Sequence, residues 1–319
     1  MYIRKRNLVL IIALLIGLGF TGFLYASNPD LAKSSTLQSV LANDKLQICS
    51  DVPFSPFEFK SNQGQFVGLD IDIARFAVRA MFGIGTADGS AVQAKDTADE
   101  DKLIRQRLEV IPTVFDVIRV ALNQGNCDLI LSDITATLPR ALTVNFTDPY
   151  VETGQIAYVS NKDKGKVVNY EDLNKPEMII DIETGTTGEL AVRARFPKAE
   201  IRGFDNAELA LADVVNGTAD AFVIDDTLLK SQIRRPNVAA AGFLCCTPQN
   251  LQPLTKEKIS IAIRQGDPDF LTWLNLLIGQ MDLQPVTPEL KALFGLSDAE
   301  AELPLLPALR THWLINFQG

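Results

Sequence analysis

The sequence predicts an α/β protein of two lobes, preceded by an apolar segment at the N-terminus. Its 319 residues are enough for about two domains on the usual scale of ~100–200 residues each. The pattern G-x-x-D-x-x-x-x-D occurs twice, at residues 125–133 and 217–225, and the residues between the two aspartates are mostly apolar. Such a run is typical of a strand covered on both faces. Two units of this kind imply two similar lobes.

The composition argues against several classes of function. The formal net charge is −9, whereas nucleic-acid binding requires a basic face. The single histidine, His312, argues against histidine-based catalysis and multi-histidine metal sites. We therefore expect no nucleic-acid partner, no metal and no other cofactor.

The cysteines are Cys49, Cys127, Cys245 and Cys246, and no C-x-x-C spacing occurs among them. A zinc or thioredoxin-type site is therefore not expected. We expect small buried thiols, with one disulfide as the alternative that an oxidising compartment would permit.

The N-terminus has the features of a targeting segment. Arg4, Lys5 and Arg6 precede an uncharged run at residues 8–26, which is longer than a typical signal-peptide core and close to the ~20 residues that span a bilayer. We expect residues 1–30 to be an uncleaved membrane anchor, with a cleaved signal peptide as the alternative. In either case the rest of the chain faces outward, in the periplasm or at the outer face of the cytoplasmic membrane.

The first lobe is predicted to follow a linker at residues 31–44. Residues 83–101 show no periodicity, so we expect a surface loop or insertion there. The regular elements predicted from apolar spacing and turn residues are a strand at 46–50, a hairpin at 57–66, a helix at 70–82, a strand at 108–111 and a helix at 116–123.

The segment between the two aspartate units suggests an anion site. A strand at 178–182 leads into a turn of small residues at 185–188, and a helix follows at 189–195. Free backbone N–H groups at such a helix start suit a carboxylate or a phosphate, although a plain helix cap is the alternative. A strand at 259–264 and a helix at 270–281 are predicted to close the globular part.

Each unit places its second aspartate, Asp133 or Asp225, at the C-terminal end of its strand. In open α/β sheets, ligands bind at that end. The sequence therefore predicts a cleft that is faced by one acid from each lobe.

Several stretches match the motifs of one known family in order and spacing. They lie at residues 51–59, 67–74, 135–150, 185–188 and 220–225. Together they make residues 46–295 resemble the family 3 (polar amino acid) extracellular solute-binding proteins of ABC transporters. The resemblance implies a two-lobed periplasmic-binding-protein-like fold (type II) with a hinge. Lobe 1 would comprise residues 45–153 and 255–296, lobe 2 residues 154–254, and residues 297–319 would form a tail.

The resemblance also implies how the main chain groups of an amino acid would be held. Arg140 would grip the ligand α-carboxylate with its guanidinium fork. Thr135 and the amide of Thr187 would complete that carboxylate's hydrogen bonds. Asp225 would accept the α-ammonium, with Asp226 as the alternative.

Other positions bear on the ligand side chain. By resemblance, Phe54 and Phe115 would sandwich it and Asp51 would reach toward it. Asp133 and Glu183 depart from the family pattern and add acids to the same region, which suggests a cationic ligand such as arginine, lysine or ornithine. The alternative is a neutral ligand, with Asp133 capping local backbone or pairing with Arg140.

The function expected from these observations is binding without chemistry. A monomer would capture an amino acid and deliver it to an ABC transporter permease, held near the membrane by its N-terminal segment. Two alternatives remain on the same fold. One is a ligand-sensing module. The other is an enzyme resembling the dehydratases that act on prephenate or arogenate, with Glu183 or Asp133 as general acid.

Overall fold

The computed structural model describes residues 35–84, 98–228, 242–243, 253–283, 286, 288, 291 and 296–315. Its described part is built on two five-stranded mixed sheets, which confirms the predicted α/β class. Within these residues no helix has the length and apolar character needed to cross a membrane. Residues 1–30, where the anchor or signal peptide is predicted, lie outside the described part.

The first sheet has strand β1 (Leu46–Ser50) near its centre, parallel to β4 (Leu108–Pro112) and β5 (Leu129–Ile130). Strand β14 (Ala262–Arg264) runs antiparallel to β5 and to the edge strand β6 (Val144–Phe146). The helices of this half are α1 (Thr36–Asn43), α2 (Leu69–Phe82), α3 (Ala98–Arg107), α4 (Ile118–Asn123), α5 (Leu138–Ala141) and α8 (Pro268–Leu283). A short hairpin of β2 (Phe59–Lys60) and β3 (Phe66–Val67) precedes α2, as predicted.

The second sheet repeats this plan with strand β9 (Ile179–Glu183) parallel to β10 (Glu200–Phe204) and β11 (Ala221–Asp225). Strand β8 (Gln155–Val159) runs antiparallel to β11 and to β12 (Gly242–Phe243). Helices α6 (Thr187–Arg195) and α7 (Ala207–Val215) pack on this sheet. Every residue of β8 and β11 is buried, because these strands are covered on both faces.

The chain crosses between the two sheets twice, and the crossings lie side by side. Strand β7 (Val151–Thr153) leads out of the first sheet, and β13 (Glu257–Ile259) leads back, pairing with it antiparallel. The prediction of one continuous strand at 259–264 was wrong. The chain forms β13 in the crossing and β14 in the first sheet, because each part pairs with a different neighbour.

The cysteine prediction was wrong for one pair. Cys49 and Cys127 form a disulfide with their Cα atoms 5.7 Å apart. Cys49 is in β1 and Cys127 lies just before β5, and these strands are parallel neighbours in which Cys49 is opposite Ile130. Strand pairing therefore brings together two residues that are 78 positions apart. Cys245 and Cys246 lie outside the described residues.

Two further segments differ from expectation. Part of the predicted loop at 83–101 belongs to helix α3, in which Asp101 pairs with Arg105 one turn later and with Arg75 of α2. The tail contains helix α9 (Leu305–Ile315), whose Leu305, Leu306 and Leu309 are buried. Residues 85–97 lie outside the described part.

Candidate ligand-binding site

A narrow cleft lies where the two sheets face each other. It is lined by all the residues that the sequence predicted to contact a ligand: Asp51, Phe54, Phe115, Asp133, Thr135, Arg140, Glu183, Thr187 and Asp225. The sequence reasoning missed four more lining residues, Glu58, Ser132, Thr186 and Ile224. All four lay inside stretches already recognised: Glu58 in the motif at 51–59, Ser132 and Ile224 in the two aspartate units, and Thr186 in the small-residue turn.

The four acids predicted for the site all come from strand ends. Asp51 directly follows β1, and Asp133 comes three residues after β5. Glu183 and Asp225 are the last residues of β9 and β11. Because parallel neighbours end at the same edge of a sheet, each sheet presents two carboxyl groups to the cleft.

Arg140 connects the two halves of the cleft. Its Nη1 donates a hydrogen bond to the carbonyl of Thr135 at 2.8 Å, and its Nη2 donates to the carbonyl of Gly185 at 3.0 Å. The guanidinium carbon lies 5.2 Å from the centre of the Phe115 ring. Burial lowers the pKa of Arg140 to about 10, so the side chain remains cationic at neutral pH.

Asp133 has an unusual backbone and an unpaired side chain. Its φ is 41°, in the left-handed region, and its N–H donates to Asp70 Oδ2 at 2.9 Å. The side chain is buried, and neither carboxyl oxygen has a hydrogen-bond partner among the described residues. Asp133 therefore neither caps local backbone nor pairs with Arg140. Burial raises its pKa well above the usual range.

The carboxyl groups of Asp51 and Glu183 approach each other across the cleft closely enough for each to affect the pKa of the other. Burial raises the pKa of Asp51 to about 6 and that of Glu183 well above its usual range. Behind this pair, the N–H of Asp51 donates to Ser132 Oγ at 2.8 Å, and that hydroxyl donates to Glu58 at 2.8 Å.

Asp225 faces the cleft, and the alternative, Asp226, does not line it. The side-chain amide of Gln155 donates to Asp225 at 2.8 Å and to the hydroxyl of Thr187 at 3.1 Å. Asp226 instead accepts a hydrogen bond from Thr153 of the crossing strand. Burial raises the pKa of Asp225 to about 7.

Thr187 is the first residue of α6, and its position leaves its backbone N–H without a partner inside the helix. The hydroxyl of Thr186 caps the helix by accepting from the N–H of Glu189. The hydroxyls of Thr187 and Thr135 lie 3.5 Å apart, and both donate to Glu257. Sequence reasoning missed Glu257, which belongs to no recognised motif.

Among the residues that the structure describes, no group of three His, Cys, Asp or Glu side chains is arranged to hold a metal ion. The cleft instead combines one guanidinium, one helix start and several buried carboxyl groups. Such a set can bind both ends of a small zwitterionic or cationic molecule.

Comparison with known proteins agrees with this geometry. Residues 46–292 match the model of the bacterial extracellular solute-binding proteins, family 3. A probable histidine-binding protein of Neisseria gonorrhoeae is 26% identical over 231 residues, which cover 72% of this chain and 75% of that protein. The cyclohexadienyl dehydratase of Pseudomonas aeruginosa is 23% identical over 211 residues, covering 66% and 70%.

Among solved structures, AncCDT-1 is similar over 78% of this chain and 93% of its own, with a TM-score of 0.63 and 32% identity. It is described as an ancestral cationic amino acid solute-binding protein and as a precursor of cyclohexadienyl dehydratase. Because the family model covers most of its length, this chain belongs to the bacterial extracellular solute-binding proteins, family 3.

Proposed function

We propose that this protein captures a small cationic amino acid, such as arginine, lysine or ornithine, and delivers it to an ABC transporter. The observation that carries the proposal is the charge of the cleft. Five acidic side chains line it, whereas Arg140 is the one cation among the described lining residues. Carboxylates that are buried without a partner are costly, and a cationic ligand would compensate them. The descriptions of AncCDT-1 and of the N. gonorrhoeae relative support an amino-acid ligand.

The carboxylate end of the ligand is assigned to Arg140 and to the start of α6. Two N–H groups of Arg140 already donate to carbonyls, and a guanidinium has five in all. The remaining N–H groups and the backbone N–H of Thr187 would donate to the ligand carboxylate. The positive end of the α6 dipole adds to this attraction.

The cationic end is assigned to the Asp51–Glu183 pair and the two aromatic rings. A ligand cation beside this pair would be held by charge-assisted hydrogen bonds to the two side chains. Phe54 and Phe115 line the same cleft and offer ring faces for cation–π contact. Asp225 would hold the α-ammonium. Asp133 is close enough to Asp225 to interact with it electrostatically, and its carboxyl group would add to the attraction.

The two crossing strands, β7 and β13, would act as the hinge about which the lobes close on the ligand. Lobe 1 is then residues 45–153 with 255–296, and lobe 2 is residues 154–254. The protein would act as a monomer outside the cytoplasmic membrane, near the permease that accepts its ligand. Residues 1–30 would hold it there, or direct its export.

Calorimetric titration of the full-length protein tests this proposal. Arginine, lysine or ornithine should bind, and glutamate should not. Asp51→Asn should weaken binding roughly tenfold to a hundredfold, the value of a hydrogen bond to a charged group. Glu177→Gln, which removes one exposed carboxylate outside the cleft, should leave the affinity unchanged. Equal losses in both variants would show that only the overall charge matters and would contradict the proposed pocket.

One observation favours an enzyme as the second candidate. Burial raises the pKa of Glu183 well above its usual range, and its side chain lines the cleft. Such a group could donate its proton to a leaving hydroxyl, as a dehydratase requires. Incubation with prephenate or arogenate decides between the candidates. An enzyme would release a dehydrated product in a reaction that Glu183→Gln abolishes, whereas a binding protein returns its ligand unchanged.

A further inference from the structure

A carboxylate of the protein itself accepts the hydroxyl protons of Thr135 and Thr187, the two threonines that the resemblance places at the ligand carboxylate. Glu257 is 7% exposed and begins the crossing strand β13. Its Oε2 accepts hydrogen bonds from Thr135 Oγ1 and Thr187 Oγ1, each at 2.6 Å. Its Oε1 accepts from Thr255 Oγ1, also at 2.6 Å. Glu257 stands behind the two threonines and reaches them from the side of the crossing strands.

Because of this arrangement, the two threonine hydroxyls present hydrogen-bond acceptors to the cleft in place of donors. A hydroxyl group has one proton to donate and two lone pairs that accept. Because Thr135 and Thr187 donate their protons to Glu257, neither hydroxyl can donate to a ligand carboxylate. Their remaining lone pairs are acceptors, as the hydrogen bond from Gln155 to Thr187 illustrates. The two hydroxyl groups therefore suit an N–H donor better than an anion, which leaves the backbone N–H of Thr187 as the donor on this wall.

The charge balance points the same way. Arg140 faces five lining acids, and two of its N–H groups are engaged by backbone carbonyls. Both carboxyl oxygens of Asp133 and Oδ1 of Asp225 lack hydrogen-bond partners among the described residues. A ligand carboxylate would add a further negative charge to this set. A ligand with two cationic ends would compensate more of it.

We infer that Glu257 sets the ligand class of the cleft, so that diamines and guanidino-amines without an α-carboxylate bind at least as tightly as the corresponding amino acids. The inference rests on the proposed function, because both assign the cationic end of the ligand to the same acids. The inference differs from the proposed function in one respect: it assigns the ligand α-carboxylate little net contribution to affinity. Glu257 would act indirectly, by fixing the direction in which the hydroxyl groups of Thr135 and Thr187 donate.

Matched pairs of ligands test this inference by calorimetry on the full-length protein. Arginine and agmatine, lysine and cadaverine, and ornithine and putrescine differ only in the α-carboxylate. In the wild-type protein the amine of at least one pair should bind as tightly as its amino acid, or more tightly. Glu257→Gln should shift the affinity ratio at least tenfold toward the amino acid, because it frees a hydroxyl proton and removes a charge. Glu177→Gln is the control with the same loss of charge outside the cleft and should leave the ratio unchanged.

Each outcome decides the inference. Measurably tighter wild-type binding of the amino acid in all three pairs would overturn it while leaving the proposed function intact. An unchanged ratio in folded Glu257→Gln would also overturn it. Binding of none of the six compounds would overturn the proposed function and the inference together. The wild-type ratio is decisive even where Glu257→Gln fails to fold.

Discussion

The substitution Gly185→Ala tests whether the lobes close as proposed. Gly185 opens the turn before α6, with a φ of 82°. A Cβ atom at this position would lie 2.8 Å from Asp116 Oδ1 and 3.0 Å from Asp116 Cα. Asp116 belongs to the half of the molecule that carries the first sheet, and Gly185 to the other half. The added methyl group would therefore obstruct the closed arrangement.

The size of the effect follows from two contributions. An L-residue in the left-handed conformation costs about 1–2 kcal/mol, whether the cleft is open or closed. Overpacking against Asp116 costs about 1–3 kcal/mol more, in the closed arrangement alone. Gly125 is the matched control, since its φ is 81° and a Cβ there would have nothing within 4 Å. Gly185→Ala should therefore lower ligand affinity roughly 5- to 150-fold relative to Gly125→Ala.

The assay combines calorimetric titration with urea unfolding of both variants. Unfolding measures the backbone cost that the two substitutions share, and titration measures the additional cost of closure. If Gly185→Ala binds within twofold of Gly125→Ala while both remain folded, the contact with Asp116 does not form in the ligand-bound state. The proposed closure would then be incorrect.

Three other predictions concern stability and the guanidinium. Replacing Cys49 and Cys127 by serine removes a cross-link that closes a loop of 78 residues, and it should lower the free energy of unfolding by about 4.5 kcal/mol. An unchanged free energy in urea unfolding would show that the disulfide does not form. Burial raises the folded-state pKa of Asp51 to about 6 and of Asp225 to about 7, so the folded protein binds these protons more tightly than the unfolded chain. The stability present near pH 4 should therefore fall as the pH rises through about 6 to 7 in the ligand-free protein, and a rise measured by unfolding across that range would contradict the assignment. Arg140→Lys keeps the charge but loses the fork to two carbonyls, and calorimetry should show affinity at least tenfold weaker; an unchanged affinity would mean that Arg140 acts as a point charge.

Much of the cleft could be predicted because its residues follow local rules. Asp133 and Asp225 end buried apolar runs, and strand ends are where α/β sheets bind ligands. Arg140, Thr135 and Thr187 came from motifs whose order and spacing were visible in the chain. Strand β1 was predicted with the bounds that the structure has.

What could not be predicted depends on which elements become neighbours. The disulfide requires β1 and β5 to be adjacent, which neither cysteine indicates by itself. Glu257 reaches the threonines only because β13 pairs with β7 at the crossing. Helix α3 escaped detection because it is mostly polar: among its described side chains Ile104 alone is buried, and Asp101 forms ion pairs with Arg75 and Arg105.

The most direct test of the central claim is a thermal-shift screen of the full-length protein against the common amino acids. A ligand that binds only the folded state stabilises it by RT ln(1 + [L]/Kd), which is about 2.7 kcal/mol at a hundredfold excess over Kd. Arginine, lysine or ornithine should raise the melting temperature of the wild-type protein, and Arg140→Ala should abolish the shift. A shift produced only by neutral or acidic amino acids, or by none of them, would contradict the claim that this cleft binds a cationic amino acid.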